Sequence, residues 1–533
     1  MIRLIKLYHR YLVGNERLLY LIGMGGIIFF LPILPYATSV AMFWLVGHWL
    51  FTLNYREKIR EFKSNKYVLL FISIYVVHLL GLIYTTDFDY ALLDLQHKLP
   101  LLVIPLLVAA NKPFTNKEFN WLMHVFLAGV LLATLISFYV YLTKFNTEIT
   151  DIRNISFIIS HVRLSLIICM GIGFLLYLIK NKSRLVHPLA YYLLTGWLVF
   201  FILILDSFTG IFFTSLISVL FAGLQVFHYR SRLIKAAYIG IIAGILVFFI
   251  VQLVQVYQLV KPKSYYDDMA RAPVATQKGN PYKHEDNKQL ENGYPVWRFI
   301  AVKELEKAWM TRSDSLLWDS AGRVKKTYYV LLRYLSSKGL KKDAAAVFSL
   351  SEQDVKNIEQ GLANYIFTEA NPIKRRLYII FWEIQSVKRG GDPTLQSVSQ
   401  RIIFYQTGWQ IFMENPVIGV GTGNVWLAFK EKLEHAGLLK EIHPWMRAHN
   451  QYLTFLLTFG IIGGAWIFFA LFYPIIRERK KLRFPALIFI VLAFLSMLSE
   501  DTLETQAGVI FFSYFYSLFI LRKSDVNSEK NSS

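Results

Sequence analysis

Cysteine is almost absent from this chain. Among 533 residues only Cys169 is a cysteine, and it lies inside an apolar run. A single cysteine excludes an intrachain disulfide and a metal site built from cysteines. The sequence also lacks a P-loop, a strand followed by a dinucleotide-binding glycine pattern, and the spacing of a metal-ligand motif. We therefore expect no cofactor and no bound metal.

Charged residues are also sparse, at 17% of the chain against 55% hydrophobic residues, and the apolar residues come in long runs. A helix needs roughly 20 mostly apolar residues to cross the hydrocarbon core of a membrane. The sequence predicts twelve such spans: Leu18–Leu34, Tyr36–Leu53, Tyr67–Tyr84, Leu99–Ala110, Phe119–Leu142, Ile158–Ile179, Pro188–Leu205, Gly210–Phe227, Ala236–Leu259, Asn450–Ile476, Phe484–Leu498 and Gln506–Leu521. The fourth is short and broken by proline, which suits a tilted or kinked helix. The first follows a basic segment without a small-residue cleavage site, so we interpret it as an uncleaved helix.

Lysine and arginine are distributed unevenly between alternate loops. One set of short loops, with both ends of the chain, carries 25 of these residues, whereas the other set carries three. Cytoplasmic loops are the basic ones. The pattern predicts both termini in the cytoplasm and residues 260–448 on the outer side, which is the periplasm of a Gram-negative inner membrane. The predicted domains are a bundle of about nine helices at 1–259, the outer domain at 260–448, about three helices at 449–521 and a cytoplasmic tail at 522–533.

The outer segment 260–448 has 28 basic and 20 acidic residues. A segment of this length is not governed by the loop-charge rule, so its excess of eight positive charges can serve binding. An anionic lipid headgroup or a phosphate-bearing substrate is the expected partner, a merely soluble surface is the alternative, and nucleic acid is not expected outside the cytoplasm. Residues 260–295 are predicted to be irregular, and helices are predicted at 296–310, 323–338 and 351–361.

The end of the outer segment has a denser pattern. A helix is predicted at Ser397–Glu414, ending before Asn415-Pro416, with Arg401, Tyr405, Trp409 and Phe412 on one face. Gly419-Val-Gly421-Thr-Gly423-Asn424 follows. Alternating glycines allow the backbone to approach a ligand closely, and a tight turn is the simpler explanation.

These motifs carry a resemblance to the O-antigen ligase and polymerase superfamily. The resemblance rests on Arg401, Trp409, Asn415-Pro416, the glycine segment, His449-Asn450 and, after nine intervening residues, Gly460-Ile-Ile-Gly463. Lys98-Leu-Pro100 is similar to an early helix of the family, and the stretch 262–395 resembles the longer insert of a Bacteroidetes-like subgroup.

The resemblance implies an all-α polytopic membrane protein of GT-C type with a mostly helical outer domain. It implies a metal-independent glycosyltransferase that takes a glycan from undecaprenyl pyrophosphate and passes it to a sugar hydroxyl of lipid A–core, surrounded by membrane lipids. A polymerase or a protein O-oligosaccharyltransferase of the same superfamily is an alternative. A glycolipid transporter without chemistry is the remaining alternative, although no internal repeat supports it.

The leaving group of such a transfer gains negative charge, which arginine can bind through permanent bidentate contacts. Arg401 is the first candidate for this role. The family often has Ser-Arg-[Thr/Gly]-Gly at the outer start of a middle helix, but here Phe208 stands in the place of the arginine. Arg163, in Ser160-His161-Val162-Arg163, is the candidate replacement, and both His161 and Arg163 are expected to face a polar cavity.

The acceptor hydroxyl must lose a proton, and histidine suits this role at neutral pH. His449 is the candidate base, with His443 and His435 as alternatives. Asn450 and Arg447 would bind substrate beside it, and Asp501 or Glu504 would orient the imidazole. Gly421, Gly423 and Asn424 complete the predicted substrate-binding set.

Overall fold

The computed structural model describes residues 2–51, 55–145, 152–181, 185–263, 274–391, 397–438 and 446–521. In chain order the helices are α1 (Ile2–Phe30), α2 (Pro35–Phe51), α3 (Tyr55–Ser64), α4 (Lys66–Leu80), α5 (Phe88–Lys98), α6 (Pro100–Ala109), α7 (Asn116–Lys144), α8 (His161–Lys180), α9 (Pro188–Ile204), α10 (Phe208–Val226), α11 (Arg232–Val260), α12 (Val302–Met310), α13 (Lys326–Ser337), α14 (Ala344–Phe348), α15 (Glu352–Glu359), α16 (Ile366–Glu369), α17 (Pro372–Lys388), α18 (Ser397–Glu414), α19 (Val425–His435), α20 (Gln451–Glu478), α21 (Phe484–Ser496) and α22 (Gln506–Tyr516). Two short strands, β1 (Leu290–Glu291) and β2 (Tyr294–Pro295), lie between α11 and α12.

Each predicted span coincides with a helix. Of the described residues, six helical segments are long and apolar enough to cross a membrane, namely Phe88–Ala109, α7, α8, α10, α11 and α20. Four shorter apolar helices are α4, α9, α21 and Gln506–Leu521. The architecture therefore agrees with an all-α polytopic membrane protein, whereas the number twelve stays a prediction.

Contacts divide the chain into two compact units, Met1–His228 with Phe404–Ser533, and Tyr229–Ile403. The predicted boundaries at 260 and 448 stay predictions, because they concern the side of a membrane rather than contacts.

The first unit is built around α22, whose residues Ala507–Tyr516 are all buried. Aromatic rings from other helices pack against it: Phe71 of α4 lies 4.6 Å from Tyr516, and Phe126 of α7 lies 5.4 Å from Phe515. A helix that is apolar on every side is stable only where neighbours enclose it. The last helix in the chain is therefore the core of this unit.

The second unit contains a β-hairpin where the sequence predicted only irregular structure. β1 pairs antiparallel with β2 through Asn292-Gly293, both of which have positive φ. Asn-Gly is the favoured pair for a two-residue hairpin turn, so the expectation for this part of 260–295 was wrong. Asn292 is held further by its amide, which donates to Ser337 O at 2.7 Å.

The helical part of the second unit packs around α13 and buries Trp309 and Tyr334 completely. α12 begins at Val302 rather than at the predicted 296, because Ile300 pairs instead with Lys283 and Lys342 in isolated β-bridges. Two predicted signals are confirmed. Gly339 follows α13 with φ +72°, and Ser351 begins α15 with a reciprocal capping box to Asp354.

α20 is not a continuous helix, since Gly460 has φ 63° and ψ −166° and divides it. The break leaves helical backbone groups without partners, and residues of the loop before α19 supply them. Val420 N–H donates to Leu457 O, and Ile461 N–H donates to Pro416 O, at 2.9 and 2.8 Å. The loop is therefore fixed to the middle of α20 by backbone hydrogen bonds.

Candidate active site

Four charged side chains meet in the interior of the first unit. Lys98 Nζ lies 2.6 Å from Asp94 Oδ1 and 2.7 Å from Glu504 Oε2. Arg447 lies 3.3 Å from Asp94 Oδ1 and also pairs with Glu504. None of the four side chains is more than 8% exposed. Two cations and two anions balance, which is the condition under which buried charges are tolerated.

The local structure explains how these groups meet. Asp94 and Lys98 are four residues apart on α5 and so lie on one face. Glu504 ends a short 3₁₀ turn before α22, and Arg447 lies in the segment that leads into α20. The cavity beside the cluster measures ≈ 10 Å³, which is room for about one water molecule. The four-charge cluster thus joins α5, the turn before α22 and the segment before α20, and a role of Arg447 or Glu504 in substrate binding stays a prediction.

Arg447 is held by more than charge. Its guanidinium donates a hydrogen bond of 2.7 Å to the Tyr90 hydroxyl. Burial alone would lower the pKa of Arg447, but the adjacent Asp94 and Tyr90 more than offset it, so the pKa lies above its ordinary value. This arginine is therefore permanently charged and already paired, and it positions the chain two residues before His449.

The residue two positions after His449 is fixed by the same cluster. Gln451 Nε2 donates to Glu504 Oε1 at 2.9 Å, and Gln451 Oε1 accepts from Leu503 N–H at 2.7 Å. Asn450 caps α20 by accepting from Leu453 N–H, and its amide donates to Leu498 O. The segment around His449 is thus anchored on both sides.

His449 itself adopts a left-handed backbone conformation, with φ +51°. This conformation is uncommon for a residue other than glycine, and it persists where the surroundings enforce it. The enforcing contact is Asp501, whose Oδ2 accepts from His449 N–H at 2.8 Å while its Oδ1 accepts from the Thr454 hydroxyl at 2.7 Å. Asp501 therefore fixes the backbone of His449 rather than bonding to its ring.

The imidazole of His449 is half-buried and packs against the Phe404 ring at 5.6 Å. Within the described residues, no hydrogen bond joins the imidazole to the protein. The side chain is thus held in place by packing and by its backbone while its nitrogens stay open to a ligand.

His161 and Arg163 lie on the first turn of α8, which the Ser160 hydroxyl caps by accepting from Arg163 N–H. Their place beside His449 in a polar cavity stays a prediction. Ser165, one turn along α8 from His161, bonds both His161 O and the Ser207 hydroxyl at 2.7 Å. The segment that carries Phe208 in place of the usual arginine therefore packs directly on the helix of Arg163.

The glycines before α19 approach protein backbone. A Cβ at Gly423 would collide with Asp87 O and the Thr85 hydroxyl, and one at Gly421, which has φ +91°, would lie 3.0 Å from Gly81 O. Asn424 contacts the same segment, since its Oδ1 accepts from Thr86 N–H at 2.9 Å. Packing against residues 81–87 accounts for all three residues, and a role in substrate binding stays a prediction.

The remaining candidates are Arg401, His435 and His443. Arg401 belongs to the second unit, so its pairing with His449 stays a prediction. His435 is the exposed last residue of α19, and His443 lies outside the described residues.

Sequence reasoning missed two features of this region. Asp94 was not singled out, although an aspartate four residues before a lysine within an apolar segment is a readable signal. The chain also contains an Asp-x-Asp pattern at Asp87-Phe88-Asp89, in which Asp87 caps α5 by accepting from Tyr90 N–H at 2.9 Å. No cluster of three or more histidine, cysteine or acidic side chains that could hold a metal occurs among the described residues.

A comparison with known families gives a result for the part of the chain that carries most of these motifs. No curated protein matches the chain. Residues 344–468, which include Arg401, the glycine loop, His449 and Gly460, match the family model described as O-antigen ligase, so the resemblance predicted from the sequence is confirmed for this region.

Proposed function

We propose that this protein is a membrane glycosyltransferase that transfers a glycan from undecaprenyl pyrophosphate to a sugar hydroxyl, without a metal, at the outer face of the inner membrane. The family match supports an O-antigen ligase or polymerase type of function in general. The observation that carries the proposal is His449, with its backbone fixed by Asp501 and its imidazole open. A rigidly held, unpaired base at the end of a helix is the arrangement expected for general base catalysis.

In the proposed reaction the acceptor hydroxyl gives its proton to His449. Its oxygen then forms a bond to the anomeric carbon of the donor glycan, and the bond between that carbon and the pyrophosphate oxygen breaks. The released undecaprenyl pyrophosphate carries the negative charge, which Arg163 and Arg401 would bind. Removing one preorganised donor of this kind costs on the order of 3–4 kcal/mol in other enzymes.

The acceptor proposed here is lipid A–core, which makes the protein a ligase. The test uses a strain that lacks the chain and complements it with the wild type, with His449→Ala or with His435→Ala. The glycan products in the membranes of the three complemented strains are then compared. We expect His449→Ala to leave lipid A–core without glycan and lipid-linked glycan to accumulate, whereas His435→Ala keeps the wild-type products.

The same experiment separates the alternatives. Lipid A–core capped with single repeats would identify a polymerase. Loss of export of the lipid-linked glycan would instead identify a transporter. Wild-type products from His449→Ala would rule out His449 as the base.

A further inference from the structure

α11 has two parts that differ in surroundings. From Arg232 to Val251 nearly every residue is exposed, and the exposed residues include Ile241, Ile245 and Phe248. The buried residues of α11 are Gln252, Val256 and Val260, all in its last nine residues. Twenty helical residues at about 1.5 Å each extend about 30 Å, the thickness of a bilayer core. The exposed part of α11 is thus long enough to cross a membrane by itself, and we infer that the outer end of this span lies near Val251 rather than at the predicted Leu259.

Polar residues and tertiary contacts start at the same point. Gln252, Gln255 and Gln258 are the glutamines of α11. The Asn371 amide, at the start of α17, donates to Gln252 Oε1 at 3.3 Å. Further along, the Tyr257 ring lies 6.2 Å from Phe381 of α17. The helix α11 thus changes from exposed to packed against other helices within about one turn.

A cavity of ≈ 580 Å³ lies beside this packed end of α11, within the second unit. One wall is the last turns of α11, from Val254 to Leu259, and the other is formed by α16 and the start of α17. Because the cavity follows directly after this 30 Å exposed stretch, the inferred end of the span puts it at the depth of lipid headgroups. Its lining is largely apolar with polar groups at intervals, which suits an amphiphile.

The charge of the lining is positive. Lys263 and Lys374 contribute two ammonium groups and Glu369 one carboxylate. Lys263 donates to Gln258 O at 3.0 Å, and no ion pair involves either lysine within the described part of the chain. Lys374 also lies in the first turn of α17, where its own N–H donates to Asn371 Oδ1, so the lysine side chains rather than the helix end supply the positive charge. The chemistry of the cavity therefore favours one negatively charged group.

We propose that this cavity binds the phosphate of an anionic membrane lipid, with Lys263 and Lys374 on the phosphate and the acyl or prenyl chain lying along the exposed face of α11. The proposal does not depend on glycosyl transfer. Phosphatidylglycerol and a polyprenyl phosphate share this chemistry, and the experiment separates these two sources.

The test uses the full chain in detergent and counts retained lipids by native mass spectrometry. The probes are phosphatidylglycerol, phosphatidylcholine of the same acyl chains, and undecaprenyl phosphate. We expect phosphatidylglycerol to be retained in preference to phosphatidylcholine. Each lysine near a headgroup contributes about 1 kcal/mol, so the double variant Lys263→Gln/Lys374→Gln should retain about 25-fold less. The matched control is Lys303→Gln/Lys356→Gln, which removes two exposed lysines of the same unit outside the cavity and should bind as the wild type does.

A second variant tests the same cavity if the double variant folds poorly. Val254→Trp fills the cavity from an exposed position without changing charge and should reduce retention to the same extent. Hydrogen exchange should also slow in α16 and early α17 when phosphatidylglycerol is added to the wild type. If undecaprenyl phosphate displaces phosphatidylglycerol, the phosphate bound in the cavity belongs to the prenyl lipid. If phosphatidylglycerol stays bound, the phosphate belongs to bulk membrane lipid.

Two outcomes overturn the proposal. One is equal retention by wild type and Lys263→Gln/Lys374→Gln together with unchanged retention by Val254→Trp. The other is equal retention of phosphatidylcholine and phosphatidylglycerol by the wild type.

Discussion

At the scale of single residues, the main property of the four-charge cluster is that its two positive and two negative side chains neutralise each other. Replacing Glu504 by glutamine removes the carboxylate that pairs with Lys98 and Arg447 and leaves a buried excess of positive charge. We expect Glu504→Gln to destabilise the protein by about 3–5 kcal/mol, because breaking a buried pair leaves its partner uncompensated. Thermal unfolding of the full chain in detergent measures this.

The control for Glu504→Gln is Glu434→Gln, in the same unit. Glu434 pairs with Lys430 on α19, and both side chains are about half exposed, so solvent can replace the lost contact. We expect a loss of about 1 kcal/mol or less there. Equal destabilisation by the two variants would show that the cluster has no special role.

A second residue-scale prediction concerns Lys342. Burial lowers the pKa of Lys342 to about 7, and its ammonium donates to Pro295 O at 2.7 Å. Between pH 7 and about 10 the unfolded chain keeps this proton while the folded chain releases it, so stability should rise with pH in that window. Below pH 7 Lys342 is protonated in both the folded and the unfolded chain, so it no longer makes stability depend on pH.

Hydrogen exchange of α13, corrected for the intrinsic rate at each pH, measures this slope. Lys342→Met removes the titrating group and should flatten the dependence relative to the wild type. An unchanged slope in Lys342→Met would contradict the assignment.

The residues around His449 show how much of the candidate site could be predicted from the sequence. His449, Arg447, Asp501 and Glu504 were selected because the loop charges put them at one face of the membrane, and they do meet in the first unit. Their roles could not be predicted from the sequence. The Asp501 carboxylate accepts from the backbone N–H of His449 rather than from its ring, and this depends on the left-handed backbone at residue 449.

At the scale of elements, the glycine loop can be tested by adding one methyl group. A Cβ at Gly423 would meet Asp87 O and the Thr85 hydroxyl, and the Asp87 carbonyl cannot yield without moving the start of α5. We expect Gly423→Ala to reduce stability by about 2 kcal/mol, as for overpacking in other proteins, and to lower glycan transfer. Thermal unfolding and product analysis measure the two effects.

Gly196→Ala is the matched control, since a Cβ at this position on α9 meets nothing within 4 Å. It should be tolerated, because alanine is a better helix former than glycine. Tolerance of Gly423→Ala would show that the loop is less tightly packed than its contacts indicate.

Elements were predicted well where local signals decide them. α18 has the predicted bounds, Ser397–Glu414, and Gly339 and Ser351 end and begin helices as expected. The missed hairpin had a readable Asn-Gly turn. The late start of α12 had no local signal, because it follows from pairing between Ile300 and Lys342, which are distant in sequence.

At the scale of the whole molecule, the predicted topology can be tested with the protein's own composition. Cys169 is buried, and it is the chain's single cysteine. Cys169→Ala therefore provides a background in which Lys356→Cys and Lys480→Cys each add one exposed thiol. We expect a membrane-impermeant maleimide to label position 356, after opening the outer membrane, in otherwise intact cells.

Position 480 lies in a predicted cytoplasmic loop and should react only after lysis. The parent Cys169→Ala protein is the control and should not be labelled in either condition. Labelling of position 480 in intact cells would reverse the orientation and move the proposed site to the cytoplasm.

The division of α20 at Gly460 has a consequence for insertions and deletions in this helix. His449-Asn450 lies at the start of α20, and the loop before α19 contacts the break at Gly460, with nine residues between Asn450 and Gly460. One inserted residue would turn the two ends by about 100° and shift them by about 1.5 Å. The number of residues in this half-helix, more than their identity, therefore determines how His449 is oriented relative to the loop.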